Sequence, residues 1–187
     1  SNFPAFFKTT AGIAINAYFF VALPEEIWKF LMLLWYAYRK KEFDEPFDGI
    51  VYAVMVGMGF ATVENISYVS QYGLMTGIMR LFLAVPAHAS FAIIMGYFMG
   101  KARFSAQKQR FLLFFGVFWA TVFHGSYDFF LFLQESHTTG TDNASLLMFL
   151  GAMVSLVTGI ILSKKAIKEH LKLSVLQNTN EYNAEDN

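Results

Sequence analysis

Glu25, Glu26, Lys29, Glu64, His88, His124 and Asp128 are ionisable, and each lies inside an apolar stretch of the 187-residue chain. These residue types can hydrolyse a peptide bond in either of two ways. A buried glutamate can take the proton of a water molecule while imidazoles and an amide, here Asn65 beside Glu64, stabilise the oxyanion, and no covalent intermediate is needed. Two histidines and a carboxylate can instead hold a zinc ion whose bound water ionises near neutral pH, with Glu64, His88 and His124 as the candidate ligands. The spacing leaves both open, and the HExxH helix of zinc proteases is absent. Ser90, Thr121 and Ser126 stand near the histidines as conceivable nucleophiles, but small hydroxyl residues are also ordinary helix-packing residues in membranes. A plainer reading is structural pairing, Glu25 with Lys29 and His124 with Asp128, each at i,i+4 on one helix face. Against it, four acids face a single lysine, and a central charge costs roughly 2.5–3.5 kcal/mol on insertion scales.

The elements that must carry these residues are membrane helices. The chain is 56% hydrophobic and 15% charged with a mean hydropathy of +0.42, where a soluble domain carries about 25% charged residues. Apolar segments run from about 5 to 23, 24 to 38, 47 to 72, 76 to 100, 111 to 133 and 145 to 163. Runs of this length match the ~30 Å hydrocarbon layer, and none shows the alternation of a strand. The expected fold is all-α, a polytopic transmembrane bundle of about six helices. Residues 1–176 read as one membrane domain and 177–187 as a polar, disordered tail. The net charge is zero, so no basic field points to nucleic acid. The lack of cysteine excludes disulfides and thiolate chemistry.

Basic residues orient the helices. Lys8, the run Arg39 to Lys41, the stretch Lys101 to Arg110 and the stretch Lys164 to Lys172 fall on one side if six segments alternate and the chain turns at Pro24. Both termini are then cytoplasmic, and Glu135 and Asp142 lie outside with Arg80 at a segment edge. At ~1.5 Å per residue, Glu64, His124 and Asp128 sit roughly 21–27 Å from the cytoplasmic side and His88 near the middle. The short second segment sinks Glu25 and Glu26 below the outer surface, so the polar groups converge on one layer in the outer half. Adjacent carboxylates diverge by about 100° on a helix, so one of Glu25 and Glu26 faces a cavity and the other orients a neighbour, with Lys29 as charge partner.

Pro24-Glu25-Glu26-Ile27-Trp28-Lys29 is an EExxK element, Phe60 to Asn65 an FxxxEN element, Pro86-Ala87-His88 a lone intramembrane histidine, and His124 to Asp128 an HxxxD element. In this order and on separate helices they resemble the PrsW-type intramembrane proteases over residues 20–130. These are similar in turn to the CAAX prenyl endopeptidases, whose arginine falls one place later than Lys29 and whose histidine stands where Glu64 is. The resemblance implies a multi-pass protease of the bacterial inner membrane. Its substrate would be a single-span membrane protein, an anti-sigma factor cut first near the extracytoplasmic face. Glu25 would activate water, Glu26 would position Lys29, His124 and Asp128 would line the oxyanion and water site, and Glu64 and His88 would complete it, with or without Zn2+. The family carries further helical sequence ahead of EExxK, where this chain has residues 1–23.

Two other functions fit buried carboxylates and histidines. A proton- or cation-coupled transporter uses such residues as a relay, although no internal repeat or Gly/Pro-broken helix pair is visible here. A scaffold would use them for packing alone. Gly57, Gly59, Gly96 and Gly100 read as helix-packing residues, and His137 and His170 as solvated. The stretch Lys164 to Lys172 reads as a short amphipathic helix on the inner leaflet.

Overall fold

A computed structural model describes residues 5–136 and 142–185, and among these all regular structure is helical. His137 and the centre of the outer loop lie outside the described residues, as do most side chains of the 177–187 stretch.

The chain does not turn at Pro24. Helix α1 (Thr10–Ile15), a π-wound stretch (Asn16–Ala22), helix α2 (Leu23–Met32) and a second π-wound stretch (Leu33–Ala37) follow one another with every junction residue in the right-handed helical region. They form one rod over residues 10–37, roughly 40 Å long. Proline has no N–H and its ring crowds the carbonyl four residues back. The wider winding ahead of Pro24, where Leu23 N–H reaches Tyr18 O, takes up that mismatch without ending the helix. Lys8 therefore lies at the far end of the rod from Arg39 to Lys41. It lines a cleft with Tyr72, Glu135 and Ser136, whereas at the other end Gln109 donates to Tyr38 Oη at 2.9 Å. The rod replaces the two antiparallel segments expected from Pro24, and with it the N-terminal end changes sides.

Helix α3 (Asp48–Tyr72) ends at Gly73, whose φ of 88° suits only glycine, and the chain turns into the short helix α4 (Leu74–Phe82). Helix α5 (Ala84–Arg103) leaves α4 at a 42° bend. The single segment expected from 76 to 100 is thus a broken pair, a feature the sequence does not announce because the break falls at Leu83 rather than at Pro86, which sits in the first turn of α5 where no N–H is required. Helices α6 (Gln109–Ser136) and α7 (Asp142–Glu185) complete the bundle. Counting the rod as one, the described residues form six helices beside a single 3-10 turn at Ala5–Lys8.

Helix α3, residues 144–176 of α7, and α4 with α5 taken together are long and apolar enough to cross a membrane. The rod and α6 carry ionisable site residues within their apolar runs. Phe19, Trp28, Met55, Val63, Leu147 and Val154 are large, apolar and exposed around the outside, as lipid-facing side chains are. Helix α5 is central, burying Ala87, His88, Phe91, Met95 and Met99 against its neighbours. It approaches α3 closely because a Cβ on Gly49 would come within 2.5 Å of Gly96 O and Gly100 N.

His170 is fully buried, not solvated. It hydrogen-bonds Pro46 O through Nδ1 at 2.8 Å and lies 4.7 Å from the Tyr97 ring. The basic stretch around it is a continuation of α7 rather than a separate surface helix.

Candidate active site

Glu25 and Glu26 occupy the first turn of α2, directly after Pro24. Their divergence around the helix separates their surroundings. Glu26 has no accessible surface, and its Oε1 accepts from Lys29 Nζ at 2.6 Å and from His124 Nδ1 at 2.9 Å. Glu25 keeps 19% of its side chain exposed, toward a cavity. Its Oε2 is buried without a hydrogen-bond partner, 3.7 Å from Lys29 Nζ and 3.9 Å from His124 Nε2.

Lys29 also meets His88 Nδ1 at 3.1 Å. An ammonium only donates, so Nδ1 accepts and a neutral His88 carries its hydrogen on Nε2. That Nε2 lies 2.8 Å from Glu64 Oε2, which accepts its hydrogen, and the same oxygen pairs with Arg80 Nη2 at 2.8 Å. On the other flank, His124 Nε2 faces Asp128 Oδ2 at 3.3 Å, and Phe91 stacks on the His124 ring with centroids 5.2 Å apart. Contacts thus run unbroken from Arg80 through Glu64, His88, Lys29, Glu26 and His124 to Asp128. They draw on α4, α3, α5, α2 and α6, and each carboxylate on the path lies against a basic side chain, which balances charge that would otherwise be costly away from water.

Glu25, Glu64, His88, His124 and Asp128 line a cavity of about 340 Å3, with Tyr68, Met79, Arg80 and Phe132 also on its wall. The cavity shares Tyr68, Thr76, Phe132 and Glu135 with a wider cleft of about 1030 Å3 between the start of the rod and the α3 and α4 ends. This mouth is at the end of the bundle away from the Lys101 to Arg110 and Lys164 to Lys172 stretches. An apolar cavity of about 460 Å3 between α5, α6 and α7 holds none of the cluster.

Lys29 and Glu26 sit behind the cavity rather than on it. Asn65 faces α4, its Nδ2 donating to Gly77 O at 3.4 Å, and does not line the cavity. Ser90 and Ser126 donate to carbonyls of their own helices, Ala87 O and Val122 O, and neither they nor Thr121 lines it. Two residues escaped the sequence reading. Arg80 stood out there only as a lone cation at a segment edge, and Tyr68, whose ring lies 3.7 Å from the Arg80 guanidinium carbon, carried no signal.

The carboxylate that joins the two histidines is Glu25. One donor atom each from Glu25, His88 and His124 falls within 4.8 Å of the others, whereas Glu64, expected in that place, is taken by Arg80. Two imidazoles and a carboxylate are a donor set of catalytic zinc sites. The orphaned Glu25 Oε2 and the Glu26 carboxylate behind His124, which fixes that ring as outer carboxylates fix metal-bound histidines, both fit such a group. To join it His88 must give up Lys29 or Glu64 and His124 must turn Nε2 away from Asp128, since both ring nitrogens of each are engaged.

The model of the PrsW family, described as an intramembrane metalloprotease, matches residues 2–166. The chain belongs to the PrsW family. It is 42% identical over 125 residues to a protein named Protease PrsW from Geobacillus kaustophilus, covering 67% of this chain and 56% of that protein. It is 44% identical over 114 residues to the Protease PrsW of Bacillus subtilis, 57% of this chain and 50% of that one. A Protease PrsW from Clostridioides difficile is 39% identical over 118 residues, 60% of this chain and 50% of that protein. The chain spans about half the length of these PrsW relatives. No solved structure matches it.

Proposed function

We propose that the protein is an intramembrane endopeptidase that cuts a single-span membrane protein near the extracytoplasmic face. The observation that carries this reading is Glu25 Oε2, which makes no hydrogen bond, beside His88 and His124 at the floor of a cavity that opens away from the basic end of the bundle. The positive-inside rule makes the basic end cytoplasmic. An anti-sigma factor, entering by the cleft beside the rod, is the substrate the reading favours, and the bacterial inner membrane its location.

Glu25 takes the proton from the attacking water, and His124, its ring fixed by the Nδ1–H bond to Glu26, turns its Nε2–H from Asp128 to the carbonyl oxygen as charge builds on it. The proton on Glu25 then passes to the departing amine as the C–N bond breaks. A divalent ion held by Glu25, His88 and His124 would supply Lewis-acid polarisation of the same carbonyl. Glu25 is essential in either chemistry, as base or as ligand.

The test is cleavage of a model single-span peptide by the full chain in detergent or liposomes, with and without chelator. Glu25→Gln is expected to lower kcat by a factor of about 10²–10⁴ while the protein stays folded. Chelator sensitivity together with retained metal would assign the ion-assisted chemistry, and cleavage without metal the glutamate one. Full activity of Glu25→Gln would overturn the reading, and ion flux in proteoliposomes that depends on Glu64 without any cleavage would replace it with a transporter.

A further inference from the structure

Arg80 lies outside the EExxK, FxxxEN, histidine and HxxxD elements, yet it ends the chain of contacts that reaches Glu25's neighbours. It sits on α4, a helix of nine residues bounded by the Gly73 turn and the 42° bend into α5. Helix α4 forms part of the cavity wall through Thr76, Met79 and Arg80, and its other face shows exposed Leu74, Met75 and Phe82. It is tied to α3 by the Asn65 to Gly77 hydrogen bond, by Arg80 on Glu64 at 2.8 Å and by Arg80 over the Tyr68 ring at 3.7 Å. A guanidinium that stacks on one α3 side chain while pairing with another, one turn away on the same face, is held in a fixed plane.

Arg80 shares Glu64 Oε2 with His88, so the carboxylate that accepts from His88 Nε2 is the one the arginine anchors. If α4 moves off α3, Glu64 loses its cation and is free to turn away. His88 then keeps its tautomer through Lys29 but loses the acceptor of its Nε2 hydrogen, and with it one of the two contacts that hold the ring.

We propose that Arg80 is a positioning residue, which fixes Glu64 and through it the His88 ring and so makes a competent site depend on α4 lying against α3. The proposal rests on the endopeptidase reading for its kinetic part only.

Because the chain has no cysteine, a Thr76→Cys thiol on the cavity wall reports the position of α4 through its rate of reaction with a membrane-impermeant maleimide. Adding Arg80→Gln is expected to speed that reaction by about tenfold, as local opening becomes easier. In the cleavage assay Arg80→Gln is expected to lower kcat by about 10- to 100-fold with a smaller change in KM, as loss of a supporting group does. Arg80→Lys, which still donates to Glu64, should recover part of the loss. The double variant Glu64→Gln with Arg80→Gln should be no slower than Glu64→Gln alone, because the arginine acts through that carboxylate. Wild-type kcat in Arg80→Gln, independent losses in the double variant, or an unchanged labelling rate would each overturn the proposal. Absence of cleavage by the wild type would count against the endopeptidase reading, and the labelling comparison would still decide the role of Arg80.

Discussion

Glu25 and Glu26 are adjacent, chemically identical and differently placed. Glu26 is enclosed and neutralises Lys29, whose side chain is 2% exposed. Glu26→Gln preserves shape but leaves that ammonium with Glu25 at 3.7 Å as its nearest carboxylate, and removing one partner of a buried ion pair costs about 3–5 kcal/mol. Thermal unfolding in detergent should therefore show a large loss for Glu26→Gln and little change for Glu25→Gln, although both lose cleavage. Equal stability of the two variants would refute the division between a packing and a reacting carboxylate. That the two residues must part company was legible from helical geometry, and so was the i,i+4 approach of His124 to Asp128, observed at 3.3 Å. The Arg80 to Glu64 pair was not. It joins residues 16 apart on two helices whose connecting turn and bend have to be known before the side chains can be matched.

Among the elements, the α3 and α5 pair does most to define the site, since one brings Glu64 and the other His88. Their approach is set at Gly49, where a Cβ would meet backbone of Gly96 and Gly100, atoms that cannot swing aside. Gly49→Ala is expected to force the helices apart at a cost of about 1–3 kcal/mol and to weaken cleavage through the Glu64 to His88 contact. Gly59→Ala, with nothing within 4 Å of the added carbon, should leave unfolding temperature and cleavage near wild type. The close spacing of glycines was visible in the sequence, but which of them meets a neighbour depends on a crossing that periodicity does not reveal. Pro24 misled for a related reason. Proline opens helices often enough to suggest a turn, and a π-wound stretch that absorbs it inside a helix leaves no compositional mark.

For the whole molecule, the continuous rod places Lys8 at the end where α3 and α6 finish and Arg39 at the end where α6 begins. Single-cysteine variants in the cysteine-free chain test this directly. In intact cells Lys8→Cys should react with an impermeant maleimide, and Lys41→Cys and Lys164→Cys should react only after the membrane is opened. Protection of all three would restore a hairpin at Pro24. The helical class and the membrane setting were readable from composition, whereas the side assigned to Lys8 was not. The number of crossings was not, because it hinged on one residue.

The pairing of carboxylates with basic groups across five helices also bears on how such a chain can be made. Glu26 has Lys29 three residues away in the same helix, and Glu64 has Arg80 on the next one. Asp128 has His124 within its own helix. The long-range link, from Glu26 to His124 across 98 positions, is made by an imidazole, which can be neutral until its partner arrives. Glu26, Glu64 and Asp128 thus each have a basic partner in their own stretch or the next one, while Glu25 shares Lys29 with Glu26 until α6 brings His124 to within 3.9 Å.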